Sequence, residues 1–111
     1  MAAKDLSLSY LLDIYGALLS DKQRDALTFY VNEDLSLAEI AENTGISRQG
    51  VRDQIKHAEH QLMRYENTLR LREKSEKIED LVKSLLASEA VGSDERLRAL
   101  CEEILQTVSF E

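Results

Sequence analysis

Apolar residues return along this chain at three- and four-residue steps, the period of helices that bury one face. The first run is Leu8, Leu11, Leu12, Tyr15, Leu18 and Leu19, and it predicts a helix from Ser7 to Leu19. Ser20 follows, with Gln23 three residues on, the spacing of a capping box. Leu27, Tyr30 and Val31 make the apolar edge of the helix it starts, and Asn32-Glu33-Asp34 reads as a loop. Ser36 and Glu39 repeat the capping signature ahead of Ile40 and Ala41. Gly45 stands where a sharp reversal calls for positive φ, Ile46 is expected to anchor that turn in the core, and Ser47 caps the next helix.

This stretch reads as a helix-turn-helix: a first helix over 37–43, a turn at Gly45, and a second helix after Ser47. The plainer alternative is a helical hairpin with a glycine turn. Small Ala41, then Gly45, then Val51 six residues further on favour the helix-turn-helix, because Ala41 lets the second helix cross close by.

That second helix outruns a minimal motif. Val51, Ile55, Ala58, Leu62, Tyr65 and Leu69 form a heptad-like seam that must pack either on the N-terminal helices or on a second copy. From it a homodimer is expected. The phase fails at Arg72 and Glu76, which predicts a bend or break within 70–76. Ile78, Leu81, Val82, Leu85 and Leu86 resume an apolar face, Gly92-Ser93 marks a boundary, and Asp94 and Glu95 suit a helix start. Leu97, Leu100, Ile104 and Val108 build the last helix. The fold class is all-α, read as one helical domain over 1–111 with a helix-turn-helix core at 7–56 and a helical extension at 57–111.

Composition agrees with this. There is no proline, and 43% of the residues are hydrophobic, enough for a core in 111 residues. No apolar run approaches a membrane span, and the N-terminus lacks a secretory pattern, so a cytoplasmic protein without membrane insertion is expected. The single cysteine, Cys101, has helical spacing to Leu97, Ile104 and Leu105 and reads as a small buried apolar residue. No phosphate loop, nucleophile–base constellation or carboxylate pair suggests an enzyme, and nothing calls for a cofactor. His57 and His60 with Glu59 lack a third ligand, so no metal site is expected.

The net charge of −7 is unevenly spread. Residues 1–44 carry −5 and residues 75–111 carry −5, while residues 45–74 carry +3. The positive segment is the second motif helix and its continuation, where a nucleic-acid binder would place charge against phosphate. If Val51, Ile55, Ala58 and Leu62 face inward, Gln49, Asp53, Lys56 and His60 face outward, with Arg48 and Arg52 toward the flanks. On duplex DNA, Ser47 and the helix start would hold a phosphate, and Arg48 and Lys56 would add phosphate contacts. Gln49 could read adenine and Arg52 guanine. Asp53 is the awkward member, since a mid-face carboxylate repels phosphate, although it could accept from a cytosine amino group. Each of these residues reads equally as an ordinary solvated helix residue. Gly50 in this helix costs roughly 1 kcal/mol of propensity against alanine.

Leu19-Ser20, Arg24, Leu27 and Tyr30, followed by Ser36-Leu37, Glu39-Ile40-Ala41, Gly45-Ile46-Ser47-Arg48 and Val51-Arg52, resemble region 4 of bacterial sigma factors over residues 18–56. That region reads the −35 promoter element. A wider resemblance, over nearly the whole chain, is to the small YlxM family. It rests on the run from Leu12 to Gln23, on Ser36 to Glu42, on Gly45 to Lys56, and on Glu59, Leu62 and Tyr65-Glu66. Members are helix-turn-helix proteins of Gram-positive bacteria whose genes commonly neighbour those of the signal recognition particle GTPase and its receptor. The resemblance implies a regulatory part in the signal recognition particle pathway, or an adaptor contacting the particle or its GTPase without binding DNA.

Overall fold

The computed structural model describes residues 6–110. Among them the chain is helical throughout: α1 (Leu6–Tyr15), a 3-10 turn (Gly16–Leu18), α2 (Asp21–Val31), α3 (Leu37–Thr44), α4 (Arg48–Leu69), α5 (Leu71–Ala87), α6 (Glu89–Gly92) and α7 (Glu95–Thr107). The contacts fall into two units. The first ends at Leu69 and the second begins at Arg70.

The first unit is built around α4, against which α1, α2 and α3 all pack. Val51, Ile55, Ala58 and Leu62 are fully buried, together with Tyr15, Leu27 and Ile40. The heptad-like seam is therefore occupied by the N-terminal helices of the same chain. The expectation of a homodimer through this seam loses its basis from Val51 to Tyr65, whose side chains pack within the first unit; Leu69, at the end of α4, is 43% exposed. The seam also carries the first unit well past residue 56. The Tyr15 hydroxyl donates to Glu66 Oε1 at 2.6 Å, and the Tyr15 and Tyr65 rings lie 5.8 Å apart. These contacts fasten the far half of α4 to α1.

Local rules explain the element ends. Ser20 Oγ accepts from the Gln23 N–H, and Ser36 with Glu39 forms a complete capping box, both bonds 3.1 Å. The first helix stops at Tyr15, not Leu19. The chain tightens into a 3-10 turn, whose larger angular step parts Leu18 from Leu19. Leu19 is buried, while Leu18 is 57% exposed. The expected break after α4 falls at Arg70, a non-glycine residue in the left-handed region at φ 55°.

In the second unit α5, α6 and α7 pack on one another. Ser88 caps α6, a short turn the periodicity did not reveal, and Asp94 Oδ1 accepts from the Leu97 N–H at 3.0 Å to start α7. A Cβ on Gly92 would stand 2.5 Å from the Leu86 carbonyl oxygen, so only glycine fits this close return. Cys101 is buried, as its spacing predicts, but Leu97, Leu100 and Ile104 beside it are exposed.

Candidate nucleic-acid interface

α3 and α4 meet at a turn set by Gly45, at φ 75° in the left-handed region. Its N–H donates to the Ala41 carbonyl at 2.9 Å, and Thr44 Oγ1 donates to the Ile40 carbonyl at 2.7 Å, so the end of α3 is closed off. Ile46 does not anchor this turn in the core. It is 38% exposed and lies over the first turn of α4, its Cδ1 3.7 Å from where a Cβ of residue 50 would sit. The left-handed step at Gly45 turns the next side chain outward.

Ser47 then caps α4: its Oγ accepts from the Gly50 N–H at 3.0 Å, and its carbonyl accepts from the Val51 N–H. A Cβ on Gly50 would press this Oγ at 3.2 Å, which offsets part of alanine's helical advantage. The cap leaves N–H groups of the first turn without an intrahelical acceptor at the helix start, where the dipole favours an anion.

Ser47, Arg48, Gln49, Arg52, Asp53 and Lys56 are all exposed. Burial of Val51, Ile55, Ala58 and Leu62 fixes the rotation of α4, so Gln49, Asp53 and Lys56 lie on its outward face and Arg52 at its flank, while Ser47 and Arg48 are exposed at the helix start. Two of them engage each other: Gln49 Nε2 donates to Asp53 Oδ1 at 3.0 Å. Arg48, Arg52 and Lys56 have no carboxylate within ion-pair distance among the described residues. Arg24, Arg70 and Arg72 contrast with them, each paired with a carboxylate three or four residues on or back in sequence. The cations of α4 are thus unspent.

The sequence reading stopped at Lys56 and left Arg64 aside. Lys56, His60 and Arg64 recur at four-residue steps and, with His57 and Gln61, line a shallow open depression. The four-residue repeat and the outward phase of Lys56 and His60 were legible in the sequence; that the row lines a depression was not. From Arg48 to Arg64 the four-residue row climbs about 24 Å along α4 while turning about 160° round it. No group of three or more metal-binding side chains gathers among the described residues, and no described helix is long and apolar enough to cross a membrane.

A capped, glycine-turned helix pair that offers one rotationally fixed helix with unpaired cations is the frame of a helix-turn-helix protein. The comparisons with known proteins agree. The model of the family described as "Putative helix-turn-helix protein, YlxM / p13 like" matches residues 2–103, and the chain belongs to this family. Relatives named UPF0122 protein include one from Clostridium kluyveri, 52% identical over 81 residues, 73% of each chain. One from Shouchella clausii is 40% identical over 108 residues, 97% of this chain and 96% of its own. One from Geobacillus kaustophilus is 40% identical over 106 residues, 94% of this chain and 96% of its own. The family is defined by a fold motif and not by a reaction.

Proposed function

We propose that this is a DNA-binding regulatory protein that seats the first turns of α4 in the major groove. The observation that carries this reading is the set of exposed, unpaired cations Arg48, Arg52 and Lys56 beside a capped helix start. The backbone there is held by Ser47 and by the buried Val51 and Ile55. Ser47 and the free N–H groups hold one phosphate, and Arg48 and Lys56 hold others. Arg52 is placed to take a guanine edge and Gln49 an adenine edge, with Gln49 leaving Asp53 to do so.

A second reading keeps the family's implied place beside the signal recognition particle and makes the protein an adaptor for the particle or its GTPase. The Gln49–Asp53 bond favours it, since it ties up one base reader and sets a carboxylate on the outward face. The net charge of −7 favours it as well.

Binding to a random duplex pool, followed by fluorescence anisotropy against salt, separates the two. Three phosphate contacts should cost roughly fortyfold in affinity between 50 and 200 mM salt. The pair Arg48→Ala/Arg52→Ala should weaken binding and flatten that slope. Absence of binding at 50 mM salt overturns the first reading. Salt-insensitive binding to the particle or its GTPase then establishes the second.

A further inference from the structure

The second unit leaves a large apolar face uncovered. Ile78, Leu81 and Leu85 on α5, and Leu97, Leu100 and Ile104 on α7, are each between 38% and 54% exposed. They are not scattered. On each helix they stand one residue ahead of the inward-facing stripe: 78, 81 and 85 precede 79, 82 and 86, while 100 and 104 precede 101 and 105. Seven residues, 88–94, join the two helices, and four of them are wound in α6, so the connection falls short of the roughly 25 Å needed for α7 to run parallel to the 17-residue α5. The helices are therefore antiparallel. In an antiparallel pair the same one-residue offset on both helices rotates both stripes to the same side. The six side chains form one face.

We infer that this face is covered by a second copy of the chain, giving a four-helix bundle from two α5–α7 hairpins. The first support is the poverty of the unit's own core. Among its described residues only Val82 and Cys101 are buried. A unit of about forty residues with so little core is usually stabilised by a disulfide, a metal or association. Cys101 is a free thiol, and no described cluster has the makings of a metal site. Of these, association is the one the exposed face can supply.

The second support is area. A wholly exposed leucine or isoleucine presents roughly 170 Å², so the six uncover on the order of 470 Å² per copy. At the roughly 60% apolar share of protein interfaces, that corresponds to about 800 Å² per partner, the size of a standard specific interface. The period of three and four residues in both stripes is the one that interlocks helices at shallow angles. A self-complementary face of this kind is what a two-fold pair requires.

The test needs no nucleic acid, so its outcome is independent of the DNA-binding proposal. Sedimentation equilibrium of the full chain at micromolar concentrations should return twice the 12.6 kDa of one chain. The single-chain mass overturns the inference, and apolar-dye binding by that monomer would point to a different protein as the occupant. Leu81→Ala/Leu100→Ala keeps helix-forming residues while removing much of the face, and it should weaken self-association at least tenfold with circular dichroism unchanged. Leu81→Glu/Leu100→Glu should give the single-chain mass. Undiminished self-association in both variants places the interface elsewhere and overturns the assignment.

Discussion

Leu62→Ala is the sharpest probe of how α4 is held. Leu62 is fully buried in the first unit's core, on the seam that could have joined two copies. The substitution removes three carbons, worth about 2.4 kcal/mol at about 0.8 kcal/mol each. The cavity left behind raises this, and buried leucine-to-alanine changes span roughly 2.7–5.0 kcal/mol. A loss of about 3 kcal/mol is expected. With a urea dependence near 1 kcal/mol per molar for a unit of this size, the unfolding midpoint should fall by about 3 M. The loss should be the same across a hundredfold range of protein concentration, because the partners of Leu62 lie in its own chain. A loss below about 1 kcal/mol, or one that grows on dilution, would refute this account of the seam.

Gly45→Ala should cost about 1–2 kcal/mol by thermal or urea unfolding. Nothing lies within 4 Å of the added methyl, so the cost is backbone strain alone, and a neutral outcome would deny the left-handed turn. Tyr15→Phe removes the donor to Glu66 and should cost about 2 kcal/mol, as expected for a hydrogen bond to a charged group. Glu66→Gln keeps an acceptor there and should cost less; equal losses in the two variants would show that the bond is not what the tyrosine contributes.

Much of this fold was legible because its signals are local. Ser20, Ser36, Ser47 and Asp94 each cap the helix they were expected to start, and Gly45 takes the positive φ that its place between Ala41 and Val51 demands. The inward phase of α4 followed from spacing alone. What failed depended on information periodicity lacks. Leu18 fits the α-helical step, but the chain had already tightened into a 3-10 turn. Ile46 is apolar beside a turn, yet the left-handed residue before it sends it outward. Leu97, Leu100 and Ile104 mark an apolar stripe correctly; spacing cannot tell whether a stripe is covered by its own chain. At the candidate interface the outward face was legible, but the bond between Gln49 and Asp53 was not, because four-residue neighbours on a helix can pair or ignore one another.

The bond from Tyr15 to Glu66 also has an optical consequence. The chain has four tyrosines and no tryptophan, so its ultraviolet emission comes from phenol rings alone. An excited phenol is a far stronger acid than in its ground state, and a carboxylate 2.6 Å away is placed to take its proton and quench it. In the folded chain Tyr15 is therefore expected to emit weakly. Any event that draws α1 away from the distal half of α4 will make it shine, so the natural protein reports on that junction without an added dye.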